Sequence, residues 1–238
     1  MNYNTDKFQS GLEKLNVSLT EDQISKFLMY YDILIETNKV MNLTAITEFE
    51  DVVEKHFLDS ISICQVYDMT QNIRVLDMGT GAGFPGIPLK IVFPEADIVL
   101  ADSLNKRIRF LNGVISKLEL KNITAIHARA EELGHKKEYR EKFDLCVSRA
   151  VANLSSLSEY CIPFVKVNGK FISYKSGEID SEISQAKKSI YVLGGKVEDV
   201  YKFDLCEQRR SFVIIKKEKK TPLAYPRKAG MPTKMPIQ

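Results

Sequence analysis

Ile73 to Gly86 reads IRVLDMGTGAGFPG, the stretch of this chain best suited to chemistry. The apolar pair Val75-Leu76 runs into an acid, Asp77, and glycines follow at Gly79, Gly81, Gly83 and Gly86. Pro85 and Pro88 open what reads as a helix. A strand, a glycine turn and a helix start let a nucleotide-like cofactor lie against bare backbone. Glycine accepts the turn, and a helix N-terminus offers unpaired N–H groups. The chain is therefore expected to bind a nucleoside cofactor.

Two cofactor frames fit these residues. Gly81-Ala82-Gly83-Phe84-Pro85-Gly86 matches the G-x-G-x-x-G dinucleotide pattern, and Asp102 follows about 20 residues on, where a ribose-binding acid belongs. The rival frame is Asp77-x-Gly79-x-Gly81-x-Gly83, with an acid at the strand tip. A carboxylate there repels a pyrophosphate. It suits the cationic amino and sulfonium groups of S-adenosylmethionine, directly or through water. A turn that merely packs helix on strand would also need the glycines. Asp102 can accept both ribose hydroxyls, or it can cap the helix that starts near Leu104. Ala130-Glu131 follows the third expected strand, where backbone groups could read an adenine edge.

These residues need a scaffold, and the patterning supplies one. The first seventy residues read as helical. Thr20 and Gln23 form a capping-box pattern ahead of Ile24, Phe27, Leu28, Tyr31, Leu34 and Ile35, which share one helix face. Thr47 and Glu50 repeat that pattern ahead of Val52, Val53, His56, Phe57 and Ile61, and Asn42-Leu43-Thr44 between them reads as a turn. From Ile73 onward strands and helices alternate. Strands are expected at 74–77, 97–101, 123–127, 143–147 and 170–174. Helices are expected near 85–92, 104–118, 155–164 and 179–193. Two last strands, near 196–203 and 212–216, lie close enough in sequence to pair as a hairpin. The sum is an α/β fold: a doubly wound, mostly parallel sheet with one antiparallel strand at its end. That ending favours the methyl-donor frame, because a dinucleotide fold adds a second parallel half. The expected division is a helical extension over 1–70, a cofactor domain over 71–217 and a basic tail over 218–238.

Composition bounds the function. At 238 residues the chain can bury a substantial core. Its N-terminus is polar and no apolar run suits a membrane span, so a cytoplasmic protein without signal peptide or membrane contact is expected. Cys64, Cys146, Cys161 and Cys206 are scattered, as are His56, His127 and His135, and no metal is assigned. The net charge is +3, yet the segment from Lys216 onward carries +6, leaving −3 for the rest. Such a segment could bind a polyanion or simply keep the protein soluble.

Strand four is followed by Ser148-Arg149-Ala150. The Asn- or Asp-Pro-Pro-aromatic tetrapeptide of exocyclic-amine methyltransferases is missing there, and no Pro-Cys dipeptide offers a nucleophile for pyrimidine C5. A target with an exposed lone pair and no proton to lose needs neither. Guanine N7 is such a target, and its methylation needs chiefly alignment.

Asn42-Leu43-Thr44, His56-Phe57-Leu58-Asp59-Ser60, the run from Asp77 to Leu89, Asp102-Ser103-Leu104-Asn105-Lys106-Arg107 and Ser148-Arg149-Ala150 occur together and in this order. This ordered set, with the tail beginning Tyr225-Pro226-Arg227-Lys228, resembles the RsmG family, also called GidB. The likeness covers nearly the whole chain. It implies a class I, Rossmann-like methyltransferase with a seven-stranded sheet and S-adenosyl-L-methionine as donor. The implied substrate is 16S rRNA, methylated at guanine N7 at position 527, in the 530 loop. Matching motifs imply cofactor contacts from Gly79, Phe84, Ala130, Glu131 and Arg149, beside Asp77, Gly81, Gly83 and Asp102. Phe84 would pack on the donor.

Arg149 keeps its proton and so is not a base. As a donor it could hold the cofactor carboxylate or a guanine O6. His56 and Asp59, three residues apart, could position the target base or anchor the helical lead as a buried polar pair. With Arg149 they are the candidate catalytic residues. Lys106, Arg107, Arg109, Lys175, Arg209, Arg210, Arg227 and Lys228 are the candidate phosphate contacts, each of which could equally be a solvated surface charge. A monomer acting on 16S rRNA, the small ribosomal subunit or its assembly intermediate is expected. An NAD(P)-dependent oxidoreductase, a non-catalytic RNA-binding protein and a small-molecule methyltransferase remain open alternatives on the residues alone.

Overall fold

The computed structural model describes residues 3–237. Helices α1 (Asp6–Lys14) and α2 (Glu21–Met41) open the chain. The capping box at α2 forms: the Thr20 hydroxyl accepts from Gln23 N at 3.2 Å, and Gln23 Oε1 accepts from Thr20 N at 2.9 Å. Gln23 Nε2 also donates to the carbonyls of Ile91 and Val92, at 2.8 and 3.2 Å. These bonds tie α2 to the end of α5 (Gly86–Val92). Asn42 ends α2 in the left-handed region, and the Asn38 side chain accepts from the amides of Leu43 and Thr44.

The second expected capping box does not form. Helix α3 (Phe49–Val52) follows Glu48 without a side-chain cap, and the Thr47 carbonyl accepts instead from the Tyr31 hydroxyl at 2.8 Å. The run then widens into a π-helical turn, Val53–Leu58, before α4 (Asp59–Ile61) and a 3₁₀ turn, Ser62–Gln65. His56 and Asp59 therefore sit across a π-to-α junction rather than on a regular α-helix. Such junctions recur at functional sites.

The sheet contains β1 (Arg74–Met78), β2 (Asp97–Asp102), β3 (Ile123–His127), β4 (Phe143–Arg149), β5 (Val165–Ser176), β6 (Gly195–Leu205) and β7 (Gln208–Lys217). Their order is β3-β2-β1-β4-β5-β7-β6, and β7 runs antiparallel to both of its neighbours. Connecting helices are α6 (Asn105–Lys117), α7 (Ala130–Leu133), α8 (Leu154–Cys161) and α9 (Asp180–Val192). Alternate strand residues feed two cores. Val75, Leu100 and Val147 pack with Phe27, Leu34 and Phe57 of the N-terminal helices. Leu76, Met78 and Cys146 pack with Leu154, Leu157 and Ile190. Strand order turns back between β1 and β4, which opens a crevice at their carboxyl ends.

Strand β5 starts earlier than its pattern suggests. Val165 pairs with Phe143, and the register then shifts so that Leu145 meets Lys170, which bulges out the turn-like Asn168-Gly169. The tail departs more. From its charge, 218–238 reads as either a polyanion-binding arm or a solvated tail, and parts of it pack on the body, including the short α10 (Met231–Lys234) with its buried Pro232. Lys217 is buried, donating to the Ile162 carbonyl and the Thr221 hydroxyl, and burial lowers its pKa to about 8. The Arg140 guanidinium donates to the carbonyls of Thr221, Pro222 and Tyr225. Backbone carbonyls draw the segment in, a signal that charge counting does not carry.

Replacing Thr20 by Ala is expected to lower stability by about 1 kcal/mol. Gln23→Ala should cost more, since it also removes the ties to α5. Urea unfolding reads both, and a Thr20→Ala midpoint equal to that of the unaltered chain would contradict the account.

Candidate active site

The glycine turn is fastened from beneath. Asp77 is fully buried, and its Oδ2 accepts from the Thr80 hydroxyl at 2.6 Å and from Gly86 N at 2.8 Å. A Cβ on Gly86 would lie 2.8 Å from that oxygen and 2.2 Å from the Leu100 side chain, so glycine is required there. The carboxyl titrates near 6, raised by burial against those hydrogen bonds. Asp77 was expected to face the cofactor's cationic groups. Its Oδ2 is taken up by the turn, through Thr80, and by the first residue of α5, Gly86.

A cavity of about 500 Å³ opens above the turn, at the carboxyl ends of β1, β2 and β3. Gly79, Asp102, Ala130 and Glu131 line it, as do Val151 to Asn153 after β4, Ser156 and Tyr160 on α8, and Gly230 and Thr233 from the tail. Asp102 Oδ1 accepts from Leu104 N at 2.8 Å, and Oδ2 accepts from Gly81 N at 3.0 Å and Arg107 at 3.2 Å. A carboxylate offers about four acceptor sites. One is left, so Asp102 can take one ribose hydroxyl rather than the two expected. Gly79 adopts φ 74°, and a Cβ on it would meet Val151 at 2.5 Å. Gly81 lies outside the lining and is tied to Asp102. Gly83 is packed against Tyr30 and Ile87.

A second cavity, of about 600 Å³, lies on the other side of the loop after β4. Its lining includes Lys55, His56, Asp59, Arg149, Lys175, Glu182, Gln208 and Arg210. Asp59 is buried and holds two arginines. Its Oδ2 accepts from Arg149 Nη1 and its Oδ1 from Arg210 Nε, both at 2.8 Å. Arg149 Nη1 also donates to the Lys55 carbonyl at 2.9 Å, and Nη2 lies 3.1 Å from His56 Nδ1. Burial first, and the Arg149 charge second, lower the His56 pKa to about 3, so its ring is neutral. A guanidinium can only donate. Arg149 Nη2 thus faces Nδ1 as a donor, the Lys55 carbonyl lies 3.1 Å from the same Nδ1, and Nε2 lies 2.9 Å from the Thr44 hydroxyl. His56 packs against Arg149 as a neutral ring.

Phe84, expected to pack on the donor, is buried elsewhere. It stacks on His56 with ring centroids 4.5 Å apart, neighbours Tyr30, and lies under the Arg149 guanidinium at 5.1 Å. Arg149 itself lines the second cavity and not the first. Lys175 and Arg210 line that same cavity, Lys175 paired with Glu182 at 2.6 Å. Lys106, Arg109, Arg209 and Lys228 are exposed. Arg107 is paired with Asp102. Arg227 was expected on phosphate, but it makes a bidentate pair with the buried Glu159, whose desolvated charge demands a partner. The sequence reading missed Thr44, Lys55, Glu182, Tyr160, Gly230 and Thr233. Their roles arise from chain crossings far apart in sequence.

The fold is similar to that of solved methyltransferases. It matches M. jannaschii TYW2 in complex with AdoMet with a TM-score of 0.56 and 16% identity, over 73% of this chain and 79% of that one. A SAM-dependent methyltransferase from Aquifex aeolicus aligns with a TM-score of 0.52 and 17% identity, over 69% and 92% of the two chains. The fold is that of class I S-adenosylmethionine-dependent methyltransferases. Residues 23–213 match the GidB family model, described as rRNA small subunit methyltransferase G. Ribosomal RNA small subunit methyltransferase G of Lachnoclostridium phytofermentans is 53% identical, over 97% of this chain and 96% of its own. Its counterpart in Desulforamulus reducens is 52% identical over the full length of both. The chain belongs to this family, and it is an S-adenosylmethionine-dependent rRNA methyltransferase rather than an oxidoreductase or an inert RNA binder.

The His56 environment sets a pH dependence. Below about 6.5 the unfolded chain protonates His56, whereas the folded protein does not until about 3. Acidification through that window therefore destabilises the fold. His56→Gln is expected to remove this component, so its stability deficit should shrink as the pH falls from about 7 to about 4.5. Urea unfolding at both pH values measures the difference, and a constant deficit would contradict a neutral buried ring.

Proposed function

We propose that the chain methylates N7 of a guanine in 16S rRNA, at position 527 in the 530 loop. It would act as a cytoplasmic monomer on the small ribosomal subunit or its assembly intermediate. The observation that carries this reading is the pair of cavities flanking one short loop. Ala150 lines one, and Val151 to Asn153 line the other. Donor and acceptor pockets would meet across that loop.

The first cavity fits S-adenosylmethionine. Gly79 leaves bare backbone, Asp102 retains an acceptor site for a ribose hydroxyl, and Glu131 is a second carboxylate in the lining. The bound donor supplies an electrophilic sulfonium methyl group. The second cavity fits a nucleotide splayed from a single-stranded loop. Four cations and two carboxylates line it, which suits a base joined to phosphates. Arg149 commits three of its five donors to Asp59, Lys55 and His56. The remaining two are available to a guanine O6, the acceptor beside N7. Lys175 and Arg210 stand beside it for phosphate, with the exposed Lys106, Arg109, Arg209 and Lys228 as outer contacts. N7 has a lone pair and no proton, so the reaction needs alignment and no base. The neutral His56 agrees with that. Asp59 and Glu182 offset the positive charge the purine gains.

Unmodified small subunits and labelled donor should yield one methyl group at guanine N7. Arg149→Ala should reduce transfer by about 100-fold or more, as loss of a positioned donor does. It should change the affinity for S-adenosylhomocysteine little. Asp102→Ala should do the reverse, weakening that ligand by about tenfold or more. Label at another nucleotide, or Arg149→Ala at full activity, would contradict the proposal.

A further inference from the structure

The tail packs where the donor pocket needs a wall. Gly230 and Thr233 line the first cavity beside Glu131. Gly230 N donates to Glu131 Oε1 at 2.9 Å. Three α8 side chains fix the neighbouring residues. Ser156 Oγ donates to the Pro232 carbonyl at 2.8 Å, Tyr160 and Thr233 share a hydroxyl bond at 2.8 Å, and Ser155 Oγ donates to the Ile237 carbonyl at 2.9 Å. Upstream, the Arg227–Glu159 pair anchors the same segment, and it is buried on the Glu159 side.

We propose that residues 229–237 belong to the donor-binding site. In this role the Gly230 amide positions the Glu131 carboxylate, and Thr233 shapes the wall facing the adenosine. The inference rests on the first cavity being the donor pocket. Two features separate this role from an arm for RNA. Lys217 and Arg227, two charges of the basic stretch that leads into this segment, are consumed by internal partners. The segment's own groups nearest the cavity are backbone and hydroxyl groups, one of them bonded to the Glu131 carboxylate, which set shape rather than attract phosphate.

A wall that touches the ligand is coupled to it: the ligand strengthens docking of the wall, and docking strengthens the ligand by the same factor. Hydrogen exchange on the intact protein tests this, with S-adenosylhomocysteine as the probe. Saturating ligand is expected to slow exchange of the amides from Gly230 to Met235 by about fivefold or more. A full-length Ser155→Ala variant, at a residue outside the cavity lining, loosens the segment by removing its bond to the Ile237 carbonyl without altering Asp102, Glu131 or any other lining side chain. Its affinity for the ligand should fall by about fivefold or more, by the reciprocal of the same coupling. Its ligand-free melting temperature should change less than that of Thr20→Ala. Unchanged exchange, or exchange that quickens on binding, would overturn the proposal, as would unaltered affinity in the variant. The donor-pocket reading fails separately, if Asp102→Ala binds the ligand as well as the unaltered chain.

Discussion

One buried carboxylate, Asp59, organises the wall of the second cavity. It accepts from Arg149 and Arg210 at once, and both arginines line the same cavity. Without Asp59, two guanidinium groups would face each other in a desolvated wall. Removing one partner of a buried pair costs about 3–5 kcal/mol, so the trio must persist or collapse together. Each surrounding element serves it. The π-helical turn delivers His56 and the Lys55 carbonyl, β4 delivers Arg149 at its last residue, and β7 delivers Arg210. Thr44 locks the His56 ring from behind, and Phe84 supports both the ring and the guanidinium.

Asp77 does the corresponding work on the donor side from inside the protein. Its Oδ2 joins the turn to the start of α5, while Oδ1 is buried with no hydrogen-bond partner in the structure. That imbalance explains why the carboxyl titrates near 6 rather than in the usual carboxylate range. The acid shapes the bare backbone that the donor would meet, and Asp102 presents the carboxylate that reaches the cavity. Two acids at two strand tips thus differ in place: Asp77 fastens the turn from beneath, and Asp102 faces the cavity.

Much of this was legible in the sequence, for identifiable reasons. Strand β3 coincides with its expected span, and β1, β2 and α5 lie within a residue of theirs, because apolar runs there are bounded by glycine, proline or acid. Thr20 and Gln23 signalled a real cap because both partners are local. Thr47 and Glu50 did not, because the helix begins one residue later, with Glu48 as its N-cap, while the Thr47 carbonyl accepts from Tyr31 of another helix. The chemistry of Asp77, Phe84 and Arg227 was misplaced for the same physical reason. Each is decided by what lies across the fold: two amide and hydroxyl donors on Asp77, a histidine ring on Phe84, a buried glutamate on Arg227. Residue type and spacing singled out the candidate residues; long-range partners distribute them over two cavities and bring the tail into one of them.

The division into two cavities is the claim on which the functional account stands. A crystal structure of the protein with S-adenosylhomocysteine and guanosine monophosphate tests it directly. The account predicts the adenosine between Asp102 and Glu131, and the guanine across the loop against Arg149. Both ligands in one cavity, or the adenosine seated on Arg149 and Asp59, would contradict it.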